Sequence, residues 1–307
     1  MQLIENIIVL NTNNTIDNIR AKIYNLINMN TIKNQSFDEE RALYESKNLI
    51  VENCKFDGIR DGESAIKESK NIICRSCYFN LRYPMWHVKV LQVFDCDLTQ
   101  NCRAAIWYSR NIVIDNCKLN GIKALRECKN VKITDTTIDS PEFGWSVENL
   151  DIKDSKAKSE YFMLRSKSLK FFNVEFEGKY SFQYTKDVTI ENCNFNTKDA
   201  FWHSKNVTVK NSVINGEYLG WYSDGLTLEN CQIKGTQPLC YCKNLTLINC
   251  TMTNCDLSFE KSEVNATILS KIDSIKNPYK GIIKAKDAGE IILSDNKAKA
   301  IISIERQ

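Results

Sequence analysis

The chain has no long hydrophobic run, no charge excess and no recognisable export signal, and each absence narrows its class. Its longest apolar stretches, such as Ile7 to Leu10, are far too short to span a bilayer. The N-terminus lacks a positive segment followed by an apolar stretch of roughly 7 or more residues, so the sequence reads as that of a cytoplasmic protein. With 41 basic residues against 38 acidic ones, the net charge of +3 gives no global reason to expect a nucleic-acid partner. A hydrophobic content of 43% and a charged content of 26% match a soluble globular chain rather than a disordered one. Thirteen cysteines are present. The number is odd and most of them fall at one repeat position, which predicts reduced, buried thiols rather than a secreted disulfide framework.

Aligning one motif exposes a repeat. The motif is Ser-Lys-Asn-h-x-h-x-Asn-Cys-x-h, with h apolar, as in Ser46-Lys47-Asn48-Leu49-Ile50-Val51-Glu52-Asn53-Cys54-Lys55-Phe56. It recurs with first residues Ser69, Val88, Ser109, Cys128, Val147, Ser166, Thr185, Ser204, Ser223, Cys242 and, degenerately, Ser262. From Ser109 to Cys242 the interval is always 19 residues; before that it is 23, 19 and 21. Positions four and six are apolar (Leu49/Val51, Ile112/Ile114, Val188/Ile190, Leu226/Leu228), the alternation of a strand with one buried face. Position eight is Asn or Asp in nearly every repeat, as in Asn53, Asp95, Asn116 and Asn192, and position three is usually Asn. Asn tolerates the left-handed backbone and suits sharp bends, and stacked Asn side chains can hydrogen-bond from coil to coil. Position nine is small (Cys54, Cys77, Cys96, Cys117, Ser155, Cys193), while positions eleven and seventeen supply two more apolar lines.

These periods predict an all-β fold, a single-stranded right-handed parallel β-helix of about 12 coils with three short strands per coil. A left-handed β-helix would show a six-residue period, which is absent. Residues 29–275 are assigned to the coils. Residues 276–307, with Ile282, Ile291, Ile301 and Ile304, are assigned to irregular strands closing the rod. Residues 1–28 are either a capping helix, using Ile16, Ile19, Ile23 and Leu26, or an extension outside the fold.

All five tryptophans, Trp86, Trp107, Trp145, Trp202 and Trp221, stand two residues before the next motif. The residue between each tryptophan and the motif forms a second column. It contains His87, His203, Tyr108, Tyr184, Tyr222, Tyr241, Glu127 and Arg165. Lys67, Arg126, Gln183 and Glu260 share the tryptophan column, so that column is expected at an outward corner. Exposed aromatics in register, mixed with Arg and Glu, suit an extended oligo- or polysaccharide. The expected ligand contacts are Trp86, Trp107, Trp145, Trp202, Trp221, Tyr184, Tyr222 and Arg165. The alternative is that the indoles merely pack together to cover one edge. Position two is Lys or Arg in nine of twelve repeats, which either recognises a polyanion or keeps a solvated corner soluble and unpaired. For catalysis the best cluster is His87, Tyr108, Arg126 and Glu127, with His203 as a further candidate. Cys74/Cys77 and Cys240/Cys242 have metal-like spacing without a matching second pair, so neither a metal nor a cofactor is expected.

From Met29 to Ile304 the sequence resembles an uncharacterised family of pectate-lyase-like β-helix proteins. The resemblance is carried by Phe37-Asp38-Glu39-Glu40-Arg41-Ala42-Leu43-Tyr44, Gly121-Ile122-Lys123-Ala124-Leu125-Arg126-Glu127-Cys128, Ser140-Pro141-Glu142-Phe143-Gly144-Trp145-Ser146 and Gly235-Thr236-Gln237-Pro238-Leu239-Cys240-Tyr241-Cys242. It implies the fold and no established activity. The carboxylate, His and Arg constellations of pectin-cleaving enzymes on this fold are not found in the sequence, which argues against inheriting their chemistry. The expectation is therefore a binding or scaffold solenoid, with a polysaccharide lyase or glycoside hydrolase as the alternative. The sequence does not specify an oligomeric state.

Overall fold

The computed structural model describes residues 29–58 and 62–305. The segment 1–28, for which a cap or an extension was expected, lies outside the described residues. The rest winds into a parallel β-solenoid of about fourteen turns, two more than the motif count suggests. Asn30–Lys33 falls within residues 29–275 assigned to the coils, while Lys280–Ile292 and Ile301–Ile304 add winding beyond them. Those last two strands pair in parallel with the preceding coils, so the segment expected to be irregular continues the winding.

Each coil has one long side formed by the motif. Lys47–Glu52, Lys70–Arg75, Lys89–Phe94, Arg110–Asp115 and Lys129–Thr134 stack in register, Leu49 on Ile72 on Leu91 on Ile112 on Val131. A short second side follows, as in Lys55–Phe56, Tyr78–Phe79 and Asp97–Leu98. The bends that separate the sides are built by asparagine as expected. Asn48, Asn71, Asn111 and Asn130 at position three, and Asn53, Asn116, Asn173 and Asn192 at position eight, all adopt left-handed backbone angles. Their amides also form ladders between coils, with Asn130 Nδ2 donating to Asn111 and Asn149 Nδ2 to Asn130, both at 2.9 Å.

The third side departs from the expected strand. Paired two-residue strands occur at Met85–Trp86, Ile106–Trp107 and Leu125–Arg126, with single bridges at Glu63–Arg82 and Arg126–Trp145. Elsewhere the backbone alternates through the left-handed region, for example at Tyr161, Met163 and Arg165, and again at Tyr180, Phe182 and Tyr184. Each such residue carries a strain of roughly 1–3 kcal/mol, offset here by hydrogen bonds to the neighbouring coils. Tyr161 N–H donates to Lys179 at 3.0 Å, Met163 N–H to Phe143 at 2.8 Å and Arg165 N–H to Gln183 at 3.0 Å, so alternate residues reach opposite neighbours. Apolar periodicity marks buried positions correctly there, but it does not distinguish a strand from this alternating turn.

The interior is a set of vertical stacks. Position nine forms a thiol and hydroxyl ladder: Cys77 N–H donates to Cys96 Sγ, Cys96 N–H to Cys117 Sγ, Cys117 N–H to Thr136 Oγ1 and Thr136 N–H to Ser155 Oγ. Each side chain returns a bond to the carbonyl two residues before it, 3.1 Å for Cys96 and 2.6 Å for Ser155. All thirteen cysteines are buried and free. Burial pushes the thiols of Cys102, Cys193 and Cys242 up to about 11, and those of Cys128, Cys240 and Cys255 up to about 12. They therefore remain protonated and unreactive at neutral pH. Farther along, the core is aromatic, with Phe162, Phe171, Phe176, Phe182, Phe195 and Phe201 in mutual contact. No helix among the described residues is long and apolar enough to cross a membrane.

Candidate functional site

The two columns at the third corner divide their labour. The tryptophans, expected to project outward, are half-buried. Four of them latch their coil to the turn of the next one through the indole N–H. Trp86 donates to Ala104 at 2.7 Å, Trp145 to Tyr161 at 2.8 Å, Trp202 to Tyr218 at 2.7 Å and Trp221 to Gln237 at 2.8 Å. Gln183, in the same column, uses its amide in the same way, donating to Asp199 at 3.1 Å. This equivalence shows that an amide N–H of similar reach can make the same latch. Trp107 differs, because its buried Nε1 has no hydrogen-bond partner.

The indole faces are also occupied. The Arg126 guanidinium lies between Trp107 and Trp145, 4.7 and 5.1 Å from their ring centres, with its Nε 3.4 Å from Glu127. Lys67 sits over Trp86 and Lys123 over Trp145. Trp202 and Trp221 stack on each other at 5.3 Å. These contacts favour the edge-covering role for the tryptophan column itself.

The second column is the one that meets solvent. Its residues, including His87, Tyr108, Glu127, Ser146, Arg165, Tyr184, His203 and Tyr222, all have left-handed backbone angles, which turns the side chains out at the corner. Tyr108, Tyr184 and Tyr222 are 46%, 52% and 47% exposed. Their rings build two stacks along the rod. In one, Tyr184, His203, Tyr222 and Tyr241 lie nearly parallel at 4.9, 5.0 and 4.8 Å. In the other, Tyr108 rests against His87 at 5.0 Å and against Trp107 at 5.2 Å, while His87 Nδ1 is 3.9 Å from Glu68. Parallel rings this close cover much of one another's faces. Within a stack, mainly edges, hydroxyls and imidazole nitrogens meet water. The two end rings, Tyr108 and Tyr184, have no aromatic neighbour on the side facing the other stack. Between them stand Glu127, Ser146 and Arg165, one per coil, so the gap is roughly 19 Å long at ~4.8 Å per coil.

Beside the first stack an open groove is lined by Glu68, His87, Tyr108 and Glu127 on one bank and by Lys89, Arg110 and Lys129 on the other, with Ser109 between. Three of the four expected catalytic residues thus share one groove, and Arg126 is held behind it by the indoles. His203 is distant from this cluster, in the second stack. Sequence reasoning missed the importance of Ser146, whose small side chain opens the gap, and of the backbone angle that decides which column faces outward. Residue character does not separate the two columns, since Lys67, Arg126, Gln183 and Glu260 share the tryptophan column with Leu164 and Cys240.

Over residues 30–305 the sequence matches the family described as a protein of unknown function, DUF3737, and the chain belongs to that family. No curated protein matches it. Among solved structures it is similar to the PfbA surface adhesin of Streptococcus pneumoniae, with 9% identity, 91% of this chain and 87% of that one covered, and a TM-score of 0.46. It is similar also to a mannuronic-acid-specific family 6 polysaccharide lyase from human gut microbiota, with 8% identity, 86% and 77% covered, and a TM-score of 0.38. A third is the A-module of the Azotobacter vinelandii mannuronan C-5 epimerase AlgE6, with 9% identity, 92% and 91% covered, and a TM-score of 0.33.

Proposed function

We propose that this member of the DUF3737 family is a non-catalytic binding solenoid that holds an extended oligosaccharide along its third corner, between Tyr108 and Tyr184. The observation that carries this reading is the gap itself. Two exposed rings end the stacks on either side of the gap, and the coils between them present a carboxylate, a hydroxyl and a guanidinium. Sugar rings stack on aromatic faces, and their hydroxyls pair with such groups. The backbone beneath is hydrogen-bonded coil to coil, so little ordering would oppose binding. The enzymatic alternative has less geometric support. Glu68 and Glu127 are the carboxylates lining the groove. They stand three coils apart, roughly 14 Å, whereas hydrolysis of a glycosidic bond needs about 5–10 Å. Buried, reduced thiols favour a reducing compartment such as the cytoplasm.

A glycan array followed by calorimetry on the captured ligand tests the proposal. Tyr108→Ala and Tyr184→Ala should each weaken binding about tenfold or more, while Tyr222→Ala, inside a stack, should change it less than about threefold. Equal losses at all three would place the ligand along the ring edges instead. New reducing ends or unsaturated products after incubation would replace the binding reading with the enzymatic one.

A further inference from the structure

Many cations on this rod pair with a carboxylate one coil away. Lys33 pairs with Glu52 at 2.9 Å, Lys156 with Glu175 at 2.9 Å, Lys179 with Glu160 at 3.1 Å, Lys198 with Glu217 at 2.7 Å and Lys210 with Glu229 at 2.8 Å. Position two instead stacks cation on cation, and does so again after Glu148 with Lys167, Lys186 and Lys205. Lys47, Lys70, Lys89, Arg110 and Lys129 lie directly above one another in register, like charge on like charge. Among the described residues, the first four have no ion-pair partner. The run ends at Glu148, which takes both Lys129 and Lys167, at 3.1 and 3.3 Å. Stacked like charges are mutually destabilising, and solubility would be served equally well by the alternating pairs used on the other faces.

The part of the run formed by Lys89 and Arg110 is one bank of the groove whose other bank holds His87 and Tyr108. That groove shares Tyr108 and Glu127 with the gap between the ring stacks. We infer that the bound glycan is acidic, and that it places a carboxylate or sulfate group between Lys89 and Arg110 on one side and Tyr108 on the other. This deepens the binding reading and rests on it. The flanking carboxylates, Glu68 and Glu127, refine the class. They accept hydrogen bonds from sugar hydroxyls but repel a chain charged at every residue, so an intermittently charged glycan is favoured over single-stranded nucleic acid.

The test compares four probes of equal length on the full chain by calorimetry: an oligogalacturonate, a sulfated oligosaccharide, a neutral oligoglucan and an oligodeoxythymidylate. Lys89→Gln and Arg110→Gln alter exposed side chains, and circular dichroism melting checks that each variant folds. An acidic glycan should bind more tightly than the neutral one, and Arg110→Gln should cost it about tenfold with a reduced salt dependence. Whether the oligogalacturonate or the sulfated probe loses more identifies the anionic group. Equal affinity for neutral and acidic glycans, unaffected by both variants, would overturn this inference while leaving the binding function intact. Binding of the deoxythymidylate alone, or of no probe, would overturn both.

Discussion

The two halves of the rod use the same winding and the same columns, yet weight the side chains in them differently. In the half before Trp145 the bend ladder is sulfur, the indole faces carry cations and the basic column is uncompensated. In the half after Arg165 sulfur persists at Cys193, Cys231 and Cys250, but the core is largely phenyl, the corner rings stack on one another and several lysines have acidic neighbours. A parallel solenoid fixes the backbone through inter-coil hydrogen bonds, so side-chain identity is free to change by region without disturbing the fold. Like-on-like stacking is what the repeat produces by default. The places where unlike groups are juxtaposed, at Glu127, Ser146 and Arg165 between two ring stacks, are where a ligand has something to recognise.

The largest expected effect separates the two cores. Phe182 is fully buried among Phe162, Phe171, Phe195 and Phe201, and Phe182→Ala should destabilise the protein by about 3–5 kcal/mol. Cys96→Ser should cost less than about 1.5 kcal/mol, because a hydroxyl already fills the same ladder position at Ser155 and Ser212 and makes the same carbonyl bond. Urea unfolding followed by tryptophan fluorescence measures both. Equal costs would mean that the sulfur ladder packs specifically and is not interchangeable with oxygen.

A smaller effect distinguishes the tryptophans. Trp202→Phe removes an N–H that satisfies the Tyr218 carbonyl, and should cost about 1–2 kcal/mol through that unpaired group in addition to any lost packing. Trp107→Phe removes an N–H that has no partner, so its hydrogen-bond contribution should be near zero. The two substitutions delete the same atoms, so the difference in denaturation midpoint reports the latch together with the Arg126 contact at Trp107 and the Trp221 stack at Trp202. Identical midpoints would count against a stabilising latch.

Most of the winding was legible in the sequence because parallel stacking turns a period into a column. Leu49, Ile72 and Leu91, read as one apolar line, are paired residue for residue in the structure. The asparagine bends were legible for a chemical reason, since few other side chains tolerate the left-handed backbone. The third side was misread as strand because Phe182 and Phe201 have the hydrophobicity of strand residues while occupying left-handed turns. The two roles weighed for the tryptophans, ligand contact and edge packing, could not be told apart from spacing. Trp145, which hydrogen-bonds through Nε1 and is capped by Arg126, is held in place by the corner, and no spacing rule separates such an indole from an exposed one. The ring stacks were implied by the period. The occlusion of ring faces was not, because it depends on how parallel rings at coil spacing overlap.

The subtlest contrast is between two carboxylates whose titration should move stability in opposite directions. Glu148 ends the basic run. Hydrogen bonds from Lys129 and Lys167 hold its carboxyl below the usual range, so its contribution exists above the unfolded carboxyl pKa and is lost as pH falls through the folded value. Asp199 lies at a turn, and burial pushes its carboxyl up. A raised folded pKa favours the protonated native form, so this stabilisation is complete below the unfolded pKa and is lost as pH rises through the folded one. Melting temperature against pH should therefore show Asp199→Asn above the parent at pH 7, with the two converging in acid. Glu148→Gln should sit at or below the parent at pH 7 and likewise converge in acid. Glu148→Gln also joins the run Lys47–Lys129 to Lys167 without an acidic break, so it should tighten binding of an acidic glycan. If both variants moved in the same direction at neutral pH, neighbouring cations would not be what distinguishes these two sites.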